Sequence, residues 1–120
     1  MKTLLVVEDD ADIFEYYRIL MCGLEVRLLR AATGREGLAL LDAGEPIDLI
    51  LLDMVLPEMS GGDFFGALRA DRGSRVPVVA CSVDGSLIEP LRAIGEVQGE
   101  FLKGDPGEGL LALVRRQLGL

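Results

Sequence analysis

The chain reads as an α/β domain, a parallel β-sheet wound on both faces by helices. Three observations predict it. Short apolar runs alternate five times with stretches whose apolar residues recur every three or four positions. The runs are apolar at consecutive positions, as in Asp48-Leu-Ile-Leu-Leu-Asp53, which suits strands buried on both faces. And residues able to do chemistry stand where the runs end: Glu8 and Asp9, then Asp53, Ser82 and Lys103. In a doubly wound sheet the carboxyl ends of the strands form one edge, where ligands gather.

Each element follows from its local pattern. Thr3–Val7 is the first strand, closed by Glu8, Asp9 and Asp10. Ile13, Tyr16, Tyr17, Leu20, Met21 and Leu24 form one face of a helix, with Asp12, Glu15 and Arg18 on the other. Glu25–Arg30 is the second strand. Thr33-Gly-Arg-Glu36 is a capping box that starts a helix through about Leu41, and Gly44 and Pro46 break the chain after it. Asp48–Asp53 is the third strand. After a loop with Pro57 and Ser60-Gly-Gly62, Phe64, Phe65 and Leu68 mark the buried face of a third helix. Val76–Ser82 is the fourth strand, with Pro77 tolerable at its start.

Residues 83–99 are less regular. Ser86 and Glu89 offer a cap, yet Pro90 would then fall in the first turns and remove a donor; the other reading is a short helix starting at Pro90. Glu100–Lys103 is the fifth strand. Asp105, Pro106 and Glu108 fit the N-cap, first and third positions of a last helix, whose core face is Leu110, Leu111, Val114 and Leu118. Five strands and five helices give a flavodoxin-like sheet, for which analogy supplies the order 2-1-3-4-5.

Composition narrows the functions open to such a domain. At 120 residues, half of them hydrophobic, residues 1–120 form one domain with a substantial core. Twelve basic against 20 acidic residues leave a net charge of −8, which opposes direct binding to nucleic acid or to an anionic membrane. Cys22 and Cys81 form no CxxC pair, and the absence of histidine excludes the usual His-containing zinc sites. The opening Met1–Asp10 is too short and too soon acidic for a signal peptide, and no segment is long enough to span a bilayer. A reducing cytoplasm with free thiols is the expectation.

Three acids, one hydroxyl and one ammonium converging from four strand ends have a chemical logic. Clustered carboxylates repel unless a cation neutralises them, and Mg²⁺ takes one or two carboxylates together with waters and phosphate oxygens. Asp53 can then act as a nucleophile toward phosphorus, giving an acyl phosphate. The metal and Lys103 offset charge on the phosphoryl oxygens, and Ser82 donates to one of them.

The pattern resembles the receiver domain of two-component response regulators, including the single-domain chemotaxis type, over the whole chain. Leu5-Val-Val-Glu8-Asp9-Asp10 is similar to the family's first strand and acid pair. Asp48-Leu-Ile-Leu-Leu-Asp53-Met-Val-Leu-Pro57-Glu-Met-Ser-Gly61-Gly62 is similar to its phosphoacceptor strand and loop, and Val76–Ser82 to the strand ending in the switch hydroxyl. The resemblance implies that Asp53 accepts a phosphoryl group from a phosphohistidine on a histidine kinase or histidine phosphotransfer protein. It implies Asp9, Asp53 and the backbone carbonyl of Val55 as Mg²⁺ ligands, with Glu8 acting through water. It also implies that Ser82 and Lys103 contact the phosphoryl group. By the same resemblance the domain is expected to catalyse only its own phosphorylation and dephosphorylation, and to control a downstream protein in a bacterial cytoplasm.

Three positions depart from the family. Gly104 stands where proline usually follows the lysine, in a cis peptide. Glu100 stands at the aromatic switch position, with Phe101 beside it, and Val83 replaces a small residue after the switch hydroxyl. A haloacid-dehalogenase-type hydrolase would need a second acid at Val55, and a flavin carrier would not place acids at the phosphate loop. The rival that survives is a receiver fold acting as a phosphorylation-independent interaction module.

Overall fold

The computed structural model describes residues 1–120. Five parallel strands, β1 (Lys2–Val7), β2 (Val26–Ala31), β3 (Leu49–Asp53), β4 (Val78–Ser82) and β5 (Gly99–Leu102), lie in the order β2-β1-β3-β4-β5. This is the expected order. β3 and β4 are buried throughout, as their continuous apolar sequences require.

Alternate residues feed two cores. Leu5, Val7, Ile50, Leu52, Val78 and Ala80 face α2 (Gly34–Asp42) and α3 (Gly61–Gly66), where they meet Leu38, Phe64, Phe65 and Leu68. Leu4, Val6, Leu49, Leu51, Val79, Cys81 and Phe101 face α1 (Ala11–Leu20) and α4 (Gly107–Leu118), where they meet Tyr17, Met21, Leu110, Val114 and Leu118. Asp10 caps α1 by accepting from the N–H groups of Asp12 and Ile13. Thr33 caps α2 through Glu36 N–H, while the Glu36 side chain reaches Ala32 N–H.

Four details differ from the sequence reading. Tyr16 is not a core residue: it is half exposed and lies across the start of α4, its hydroxyl against Gly107. α3 runs on as a π-helical turn over Ala67–Asp71. The helical segment after β4 is a pair of 3₁₀ turns, Gly85–Leu87 and Glu89–Ala93, with Pro90 early in the second, as its missing N–H allows. Pro106, not Asp105, occupies the N-cap of α4, and no side chain caps that helix. No helix is long and apolar enough to cross a membrane.

Candidate functional site

β1 and β3 are neighbours in register, Val7 opposite Leu52, so Glu8 emerges beside Asp53. Both side chains are almost fully buried, while Asp9 is exposed on the rim. Carboxylate oxygens of Glu8, Asp9 and Asp53 lie within 4.8 Å of one another. Lys103 follows β5 by one residue, and its Nζ lies 2.9 Å from Glu8 Oε1 and 3.1 Å from Asp53 Oδ1. One ammonium is shared by two carboxylates with a third alongside, so negative charge remains in excess. An all-oxygen donor set with that excess fits a hard divalent cation.

The electrostatics follow from burial. Removal from water pushes the Glu8 carboxyl up to about 7; the Lys103 hydrogen bond opposes this, and the Asp53 charge adds to it. Burial works against the charge of Lys103, but its bonds to Glu8 and Asp53 outweigh that and hold its pKa above the usual lysine value. Beneath the site, Cys81 is opposite Asp53 in the β3–β4 register, and burial pushes its thiol up to about 12. The buried Tyr17 hydroxyl has no hydrogen-bond partner, and its pKa is raised by burial.

Loop geometry sets Asp53. The Val55 N–H donates to Asp53 Oδ1 at 3.3 Å, while the Val55 side chain is exposed. Gly61 N–H donates to Met54 O, and a Cβ at Gly61 would come within 2.7 Å of Asp53 O and Met54 Cα. Only glycine permits that approach. Between them Glu58 takes a left-handed φ of 66°.

The structure brings Glu8, Asp9, Asp53 and Lys103 together, while the Ser82 hydroxyl bonds to none of them. Ser82 is buried at the end of β4, but its hydroxyl closes a local turn: it donates to Asp84 O at 2.9 Å and accepts from Asp84 N–H at 3.1 Å. Every peptide is trans, and Gly104 has a φ of 100°, which a proline ring forbids. Lys103 is nevertheless well placed, by its two carboxylates and by its N–H bond to Ser82 O at 2.7 Å. Glu100 points outward and pairs with Arg92, which also pairs with Glu89, while Phe101 is buried.

Two contacts had no local signal in the sequence. Arg92 sits in the irregular segment, eight residues before Glu100. Arg30 belongs to β2 and reads as an ordinary outward polar residue. Its guanidinium donates to the backbone carbonyls of Glu8 at 3.2 Å and Asp9 at 3.0 Å.

The comparisons with known proteins agree with this geometry. The family model of the response regulator receiver domain matches residues 4–103, and the chain belongs to that family. It is 33% identical over 97 residues to the regulatory protein LuxO of Vibrio cholerae, covering 81% of this chain and 21% of that protein. It is 31% identical over 118 residues to the DNA-binding response regulator MtrA of Mycobacterium leprae, covering 98% of this chain and 51% of that one. The chain therefore spans about a fifth to a half of these relatives. Among solved structures it is similar to the Vibrio cholerae chemotaxis protein CheY4, with a TM-score of 0.84, 25% identity and coverage of 97% and 98% of the two chains. A signal receiver domain of an HD domain-containing protein from Pseudomonas fluorescens shares the fold alone, at 22% identity, a TM-score of 0.86 and coverage of 98% and 94%.

Proposed function

We propose that this receiver domain is a phosphoacceptor that takes a phosphoryl group onto Asp53 and thereby changes its conformation to control a partner protein. The observation that carries this reading is the Lys103 ammonium bridging Asp53 and Glu8, with Asp9 alongside. A carboxylate oxygen of Asp53 bonds to phosphorus as the bond to the donor's imidazole nitrogen breaks, which gives an aspartyl phosphate. Water attacking the same phosphorus later releases inorganic phosphate and restores the carboxylate.

Asp9, Asp53 and the Val55 carbonyl would hold Mg²⁺, with Glu8 acting through water. When bound, the ion supplies positive charge against the phosphoryl oxygens. Lys103 needs no rearrangement to serve a phosphoryl oxygen beside Asp53. Ser82 does: it must give up its turn with Asp84 before its hydroxyl can reach the group. The donor is a histidine kinase or histidine phosphotransfer protein. The domain performs no chemistry on other molecules, and its acidic surface suits a protein partner rather than nucleic acid or membrane. Free Cys22 and Cys81 suit a cytoplasmic setting.

Intact-mass spectrometry after treatment with acetyl phosphate tests the reading. One added phosphoryl group is expected with Mg²⁺, and none without it or in Asp53→Asn. No added mass in the parent protein with Mg²⁺ would favour the phosphorylation-independent interaction module instead.

A further inference from the structure

We infer that Arg30 is a positioning residue for the metal-binding acids: it fixes the backbone of Asp9 and so sets the affinity of the site for a divalent cation. The inference rests on the metal reading above.

The segment from Glu8 to Asp10 is anchored at its two ends. Glu8 N–H donates to Ala31 O, and the Asp10 side chain caps α1. The two peptide planes that flank Asp9 carry the carbonyls of Glu8 and Asp9, and no backbone N–H donates to either oxygen. Arg30 donates to both, Nε–H to Glu8 O and one terminal N–H to Asp9 O. A guanidinium is a rigid planar fork, so two bonds from one group fix both planes at once. The fork is itself held, with its carbon 5.6 Å from the centroid of the Phe14 ring on α1. Arg30 takes part in no ion pair. Its donors go to the backbone instead.

Position and charge make opposite predictions. A cation beside a metal site repels the metal, so if charge dominated, its removal would tighten binding. If Arg30 acts by holding Asp9 in place, removal weakens binding, because Asp9 must then be ordered at the expense of binding free energy.

The test is Mg²⁺ titration calorimetry on the parent, Arg30→Met, Arg30→Lys and Asp9→Ala, with phosphorylation rates from acetyl phosphate at saturating Mg²⁺. Methionine keeps an apolar stem against Phe14 and removes the donors. Arg30→Met should bind Mg²⁺ roughly tenfold more weakly. Its rate at saturating Mg²⁺ should stay within about twofold of the parent, since the metal then restores the loop. Arg30→Lys, with the charge but no fork, should fall between. Unchanged or tighter binding by Arg30→Met, with normal binding by the parent and loss in Asp9→Ala, overturns the inference and leaves the metal site standing. No Mg²⁺ binding by the parent overturns both. A melting-temperature loss in Arg30→Met with unchanged affinity assigns Arg30 to stability alone and equally overturns it.

Discussion

The two halves of the sheet's carboxyl edge are built differently. On the β1–β3 side the two buried acids are each held from more than one direction, and the exposed Asp9 through its backbone. Glu8 is bound by Lys103 and by Asp10 N–H, Asp9 is flanked by carbonyls clamped by Arg30, and Asp53 is fixed by Lys103, Val55 N–H and the close approach of Gly61. On the β4–β5 side the chain leaves Ser82 into two 3₁₀ turns, with Val83, Leu87 and Ile94 exposed. Short 3₁₀ turns have poorer hydrogen-bond geometry than an α-helix and open at lower cost. The contrast teaches that the acid site proposed for phosphoryl transfer is preformed, while the segment that would report on it is loosely built. Binding energy is best used where geometry already exists, and a response is easiest where two arrangements differ by little.

The largest effect that would break this contrast is at Asp9. Asp9→Ala should abolish Mg²⁺-dependent phosphorylation while leaving the circular dichroism spectrum and the melting temperature near the parent's, because Asp9 is exposed and outside the core. Phosphorylation at the parent rate would remove Asp9 from the site.

Next in size is the cost of the acid cluster without metal. Glu8 has its carboxyl raised to about 7 from the usual 4.5, so the folded state holds its proton more tightly than the unfolded state does. The Glu8 contribution to stability should then fall as pH rises between about 4.5 and 7, and level off above that. Lys103 and Asp53 face the same carboxyl: the first limits the shift and the second enlarges it. Glu8→Gln should flatten this part of the pH profile and raise the urea midpoint of the metal-free protein at pH 8. Equal slopes for parent and variant from pH 5 to 7 would show that Glu8 is not strained.

The smallest effect is on the flank. The Glu100–Arg92–Glu89 pairs are solvent-exposed, and such pairs contribute about 0–1 kcal/mol. Glu100→Ala should lower the melting temperature only slightly and speed amide exchange in residues 89–94. A large loss of stability would mean that the pairs, rather than Leu91 and Ile88 in the core, hold this segment down.

The sequence was most legible where chemistry and packing agree. Asp48–Asp53 could be read as a doubly buried strand ending in a functional acid because nothing but parallel pairing suits so continuous an apolar run. Sheet order needed analogy, since periodicity is local and strand neighbours are not. Tyr16 departs from its expected face because helical spacing gives a face but not its width; the α4 terminus packs on one edge of that face and leaves the ring half exposed. Pro106 displaced Asp105 from the cap because its extended backbone suits the N-cap itself. Arg30 was illegible because its partners lie more than twenty residues away in the chain, and the Arg92–Glu100 pair because it joins an irregular segment to a strand; a long flexible cation carries no mark of where it will point. Taken alone, a serine ending a strand reads as a local turn hydroxyl, and Ser82 makes that turn with Asp84.

The central claim is that a preformed acid site drives a loose flank without turning residue 100 inward. A carboxylate brought in beside a phosphoryl group would lose water and meet repulsion, so Glu100 has reason to stay with Arg92. Hydrogen exchange with and without beryllofluoride and Mg²⁺, on the parent and Glu100→Ala, measures this most directly. Protection changes should concentrate in residues 83–99, where Ser82 leaves its turn with Asp84, and should persist in the variant. Changes that spare residues 83–99, or that vanish when Glu100 is replaced, would contradict the account.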